Sequence, residues 1–180
     1  MAKQTVPTSG LWSSIASLLN ANFTNAEENT GWAEYEDTQY TSGSPFSVSG
    51  NTDTILPNNA GGVIDSQKPS DITTFYNGSV ITGRSGDGLA VTIDFNAVPT
   101  SGGTTFLEVW LNIGGGLPDL YKRIITFPKG TGIVRPINFT VSAYTLNTWE
   151  ANGATVYVRS NGNIDVYDIR YVLTRLHKAK

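Results

Sequence analysis

The sequence predicts a mainly β protein, an antiparallel sandwich or barrel preceded by one short helix. Three observations carry this. From Leu89 to Leu176, apolar and polar residues alternate over much of six successive runs, most of them bounded by Gly, Pro or Asn. Charged residues make up only 15% of the 180, set against 19 glycines and many Ser, Thr and Asn, which suits sandwich surfaces and not a disordered chain. Cysteine and histidine chemistry is almost absent, with no Cys and one His, so no disulfide framework or thiolate metal site exists.

Met1 to Gly10 reads as extended, with Pro7 and Gly10 as breakers. A helix follows over about Leu11 to Glu28, with Ser9 as its N-cap and no breaker before Gly31. Trp12, Ile15, Leu19, Phe23 and Ala26 recur at steps of three or four and form one apolar stripe, widened by Leu11 and Leu18. That stripe can pack on the chain's own β region or against the same helix in sister subunits. The helix is too short to associate strongly alone, so β domains would supply most of any association. The division is therefore residues 1–31 as arm and helix, and residues 32–180 as the β domain.

From Gly31 to Asp87 the pattern is weaker. Glu34 to Tyr40, Phe46 to Val48, Asp53 to Leu56 and Gly62 to Ile64 read as short strands. Phe75-Tyr76 and Val80-Ile81 flank Asn77-Gly78, a type I′ turn pair. Beyond Gly86 the strands are clear: Leu89 to Phe95, Thr105 to Ile113, Leu120 to Phe127, Ile133 to Ala143 and Ala154 to Ser160. The pair Asn161-Gly162 predicts a tight hairpin into Ile164 to Leu176, where Tyr167, Ile169, Tyr171 and Leu173 share a face. No helix is expected between strands, which excludes βαβ architecture.

Most chemistry is disfavoured. His177 stands beside Lys178 and Lys180, where nothing would hold an imidazole for a nucleophilic relay. Glu34 with Glu36, and Asp165 with Asp168, are the acid pairs a glycoside hydrolase would need, and nothing marks them out from solvated charge. Asp and Asn residues in loops, Asp71 and Asp87 among them, lack calcium-loop spacing and read as turn formers. The glycine runs at Gly114 and Gly130 lead into strands, not into the helix that a phosphate cradle requires. No cofactor or metal is expected. A net charge of -3 argues against nucleic acid as partner, and the basic cluster Arg170, Arg175, Lys178 and Lys180 reads as a solvated tail. No signal peptide or membrane span is expected, so the Asn-X-Ser/Thr triplets at Asn22, Asn77 and Asn138 read as chance.

The outward aromatics of the Thr105 to Ile113 strand matter more. Leu107, Val109, Leu111 and Ile113 form its core face, which leaves Phe106 and Trp110 opposite, with Glu108 between them. They are either covered by a loop of residues 41–87, part of a subunit interface, or a platform for stacking sugars.

The run Gly10 to Phe23, then Trp32-Ala33-Glu34-Tyr35-Glu36-Asp37, then an eight-strand β domain, resembles tailed-bacteriophage virion proteins. These carry a short N-terminal helix and a C-terminal jelly roll similar to the trimeric domain of the tumour necrosis factor and C1q superfamily. The resemblance implies an antiparallel jelly-roll sandwich, no enzymatic activity, and a virion location after assembly in the host cytoplasm. It implies a homotrimer bound to the major capsid protein or another virion protein, as a decoration (cement) or head-fibre protein. The helix contact would be Trp12, Ile15, Leu19 and Phe23. The β-domain contact would be Phe106, Trp110, Tyr167 and Tyr171, the last two on a face that parity also allows to be core. The family also allows a tail-fibre or tail-tip protein that binds host surface glycans through Tyr40, Trp149, Asn161 and Asn163.

Overall fold

The computed structural model describes residues 13–179, apart from the side chains of residues 25–27. The expected extended arm, Ser9 and Trp12 lie outside the described residues. The chain order is α1 (Ser13–Asn29), β1 (Gly31–Glu36), β2 (Phe46–Val48), β3 (Thr54–Ile55), β4 (Gly62–Ile64), β5 (Gly88–Pro99), β6 (Phe106–Asn112), β7 (Leu120–Thr126), β8 (Arg135–Tyr144), α2 (Asn147–Asn152), β9 (Thr155–Ser160) and β10 (Ile164–His177).

The strands make two sheets. One runs β4-β1-β10-β5-β8, with β2 also pairing β10; the other runs β3-β9-β6-β7. All ladders are antiparallel. The pairs β1·β10, β3·β9, β5·β8 and β6·β7 are nested from the chain ends inward, and successive pairs fall in alternate sheets. That is a long hairpin rolled on itself, the jelly-roll topology.

Period-2 patterning places the core between the sheets. Leu89, Val91, Ile93, Phe95 and Ala97 of β5 point inward. They meet Leu107, Val109 and Leu111 of β6, Phe139 and Val141 of β8, and Val156 and Val158 of β9 in one continuous cluster.

Three expectations need correction. First, Asn161-Gly162 is not a hairpin, because β9 and β10 lie in different sheets. It is a corner where the chain crosses over. A Cβ at Gly162 would lie 2.4 Å from Thr104 Oγ1 and 2.5 Å from Ser101 Oγ, so only glycine fits there. Second, α2 bridges β8 and β9. Six residues are too few to show helical periodicity in sequence. Third, Tyr167 does not share a face with Ile169. The β10–β5 register shifts between Tyr167 and Arg170, and Asp168 sits at φ 53°. This bulge reverses parity. Ile164 and Val166 point inward before it; Ile169, Tyr171 and Leu173 do so after it.

Core and surface positions should respond differently to truncation. Leu107→Ala, inside the sandwich, should cost about 2–5 kcal/mol, whereas Ile124→Ala on exposed β7 should stay within about 0.5 kcal/mol; urea unfolding measures both.

Candidate interaction surfaces

Helix α1 carries the clearest apolar surface. Ile15, Leu18, Leu19 and Phe23 are 41 to 66% exposed. The hydroxyls of Ser17 and Thr24 fold back onto the carbonyls of Ser13 and Asn20, so they do not extend the polar side of the helix.

The end of α1 meets a charge cluster that the sequence reading took for a solvated tail. Arg175 is 0% exposed. Its guanidinium donates to Asp71 at 2.5 and 3.3 Å and to Asp87 at 3.2 Å, and also to the carbonyl of Glu28. Lys178 pairs with Asp71 at 3.1 Å and with the Glu28 carboxylate. The amide of Ala179 donates to Asp87 at 2.7 Å, and Arg84 stands 3.6 Å from Asp71. Asp71 and Asp87 are therefore more than turn formers. The missed signal is parity, since Arg175 continues the inward series Ile169, Tyr171, Leu173. Burial pushes the Asp71 carboxyl up, but hydrogen bonds and charge from Arg175 and Lys178 outweigh it and hold it below the usual carboxylate range.

The β-domain aromatics divide. Trp110 is 2% exposed. Tyr157 stacks on it at 5.6 Å between ring centroids, and the Lys122 ammonium stands 4.2 Å above the ring. Neighbours on the outer face stand over it, and Asp53, from residues 41–87, borders the same cleft as Trp110. Phe106, on the same face, is half-buried. Tyr171 is core: its hydroxyl donates to the Leu56 carbonyl at 2.9 Å and its ring meets Tyr76 edge-on. Tyr167 lies on the outer face beside Asn96, and is buried. Trp110 and Tyr171 thus spend their surface within the subunit, and neither offers a face to a sister chain.

The loop residues named for glycan contact are not brought together. Trp149 is buried, and its indole N–H donates to the Ile81 carbonyl at 3.0 Å. Asn161, at the other end of β9, is occupied by structure. Its Oδ1 accepts from the amides of Thr105 and Phe106, and its Nδ2 donates to Gly103 and Thr105. The Asn163 side chain accepts from the amide of Gly50 at 2.9 Å. Only Tyr40 fronts a cleft, of about 310 Å³, shared with Asp37, Leu56, Asn58 and Tyr76. Asp37 caps its wall by accepting from the amides of Gln39, Tyr40 and Asn59. Burial, then the nearby Asp37 charge, push the Tyr76 phenol up to about 12.

The outer face of the larger sheet is polar. Glu36, Arg170, Asp94 and Asn138 form one row across four strands. Arg170 donates to Asp94 at 3.0 Å and Asn138 donates to it at 2.6 Å. Asn96 donates to Asp168 at 3.1 Å. These residues border a cleft of about 430 Å³. Glu34 lies on the same face of β1 as Glu36, and Arg170 stands 4.0 Å from Glu34. Asp165 accepts from the Ser47 hydroxyl at 2.7 Å. Among the described residues no group of three or more His, Cys, Asp or Glu is placed to hold a metal ion. Nor is any described helix long and apolar enough to cross a membrane.

No known protein family and no curated protein matches this sequence. Among solved structures, the PRD1 vertex protein P5 is 11% identical, covering 84% of this chain and 98% of its own, with a TM-score of 0.44. The Eiger TNF of S. frugiperda is 9% identical over 84% of this chain and 96% of its own, with a TM-score of 0.49. An empty virus-like particle of Cowpea Mosaic Virus is 13% identical over 83% and 79%, at 0.28. The jelly-roll fold itself rests on the nested strand pairing.

Because the folded state lowers the Asp71 pKa, its contribution is present above the ordinary value of 3.8 and is lost as pH falls through the folded value. Acid unfolding followed by circular dichroism should lose stability in that range below 3.8 in the wild type. Asp71→Asn should be less stable at neutral pH and lack that share of the acid response.

Proposed function

We propose that this chain is a structural protein of a phage particle, a trimer that binds the capsid surface as a decoration or head-fibre protein. The observation that carries the reading is the apolar ridge on α1. The jelly-roll core is closed within one chain, yet Ile15, Leu18, Leu19 and Phe23 remain exposed. Fully burying one such side chain contributes about 1.5–3 kcal/mol. With four per helix, roughly half-exposed, three helices together hold a reserve on the order of 10 kcal/mol. A closed threefold arrangement uses the same ridge in every subunit, and three arms on one particle add weak contacts into tight attachment. Phe106 is the β-domain residue best placed to join such a contact, being half-buried on an outer face. The partner would be the major capsid protein or another virion protein.

The glycan-binding alternative keeps Tyr40 and its cleft but loses Trp149 and Asn161 to the interior and to loop structure. Light scattering on the purified protein should give a trimer mass. Leu19→Asp with Phe23→Asp should leave the β-sheet dichroism intact, lower that mass, and abolish co-sedimentation with particles assembled without the protein. A wild-type monomer at micromolar concentration, or unimpaired decoration by the double variant, would overturn the reading.

A further inference from the structure

Three Asn-Gly pairs occur in the chain, Asn77-Gly78, Asn152-Gly153 and Asn161-Gly162. Such a pair can rearrange without a catalyst. The glycine backbone nitrogen attacks the asparagine Cγ, the C–N bond to the side-chain nitrogen breaks, and the nitrogen leaves as ammonia with the backbone proton. Water then opens the resulting succinimide at either carbonyl, giving aspartate or isoaspartate. One water is consumed, one ammonia is released, and nothing is oxidised or reduced.

The fold gives the three pairs unequal freedom. Asn161 is held by four hydrogen bonds through its side-chain amide. Gly162 beside it is packed against Thr104 and Ser101. Asn152 donates its Nδ2 to the Thr148 carbonyl at 2.9 Å, and the attacking nitrogen, that of Gly153, is engaged with the Trp149 carbonyl at 2.7 Å. A Cβ on Gly153 would meet Val80 at 2.5 Å, so this glycine packs close against that side chain.

Asn77 shares with Asn161 the two amide donors to its Oδ1 and differs in its leaving nitrogen and in the room around its glycine. Both Asn77 and Gly78 are exposed, and no atom lies within 4 Å of a Cβ built on Gly78. The Asn77 N–H donates to the Val80 carbonyl, so the turn is centred on Gly78-Ser79 and not on the Asn77-Gly78 pair expected from sequence, and Gly78 at its first central position has positive φ, 89°. The Asn77 Oδ1 accepts from the amides of Ser79 at 3.0 Å and Val80 at 2.9 Å. Those two N–H groups polarise the carbonyl under attack and face the oxygen on which negative charge develops. Its Nδ2, the leaving nitrogen, has no hydrogen bond among the described residues.

We propose that Asn77 is a site of spontaneous deamidation in the folded protein, and that Asn152 and Asn161 are protected by the fold. The product carboxylate forms beside Gly78 and Ser79 on the rim of the Tyr40 cleft, whose wall already holds Asp37. Isoaspartate would also add a methylene to the main chain, where Asn77 N pairs with the Val80 carbonyl and Tyr76 bridges Ile81.

The test is to age the full-length protein at mildly alkaline pH, natively and in urea, and map conversion by peptide mass spectrometry with fragmentation that separates isoaspartate from aspartate. In the folded protein Asn161 should lag Asn77 by at least about tenfold, equivalent to about 1.4 kcal/mol in activation free energy. In urea the three sites should converge. Conversion of Asn152 or Asn161 ahead of Asn77 would overturn the proposal. So would a folded protein that keeps Asn77 intact while the unfolded chain loses it.

Discussion

The structure depends on a guanidinium that no water reaches. Arg175 lies where the outermost nested pair closes, opposite Gly31 at the last register position of β1 and β10. Asp71 and Asp87 come from the long connection between β4 and β5, Glu28 from the end of α1, and Lys178 from beyond β10. One charge thus gathers segments more than a hundred residues apart in sequence. Removing one partner of such a buried pair costs about 3–5 kcal/mol, because it strands the other charge. The outermost pair joins the two ends of the chain and so closes the longest loop. The apolar alternation of β10 sets its register, and the buried pair adds a polar match at the edge.

The surfaces are sorted by chemistry. The larger sheet turns a row of hydrogen-bonded polar groups outward, with Asp94 between Arg170 and Asn138. The smaller sheet covers its outward Trp110 with a tyrosine ring and a lysine ammonium. Exposed apolar side chains also occur on the strands, Ile124 and Ile64 among them, but on α1 four stand within one short helix. The β core closes within one chain, whereas Ile15, Leu18, Leu19 and Phe23 of α1 stay exposed.

Much of this was readable in the sequence wherever period and length were unambiguous. The strands after Gly86 lie within a few residues of their expected places, and α1 matches the apolar stripe that predicted it. What escaped did so for physical reasons. Trp110 sits on the outward parity of β6, and parity cannot tell that Tyr157 on the neighbouring strand will roof it. Trp149 lies in a helix too short to have a period, yet it anchors the β8–β9 crossing through one hydrogen bond to Ile81. Asn161-Gly162 carries a hairpin signature, but sheet membership, a long-range property, makes it a corner. Arg175 was discounted because a basic residue near a terminus is usually wet.

The bulge at Asp168 has a consequence for how this strand can change. It lets a single strand serve the core with even-numbered residues on one side and odd-numbered residues on the other. What is constrained there is the count of residues as well as the kind at Asp168, whose φ is 53°. A one-residue deletion would straighten the ladder and expel either Val166 and Ile164 or Tyr171 and Leu173, with Arg175 drawn out of its carboxylates in the second case. The positive φ at position 168 suits Asp, Asn or Gly, and the chain cannot lose the residue.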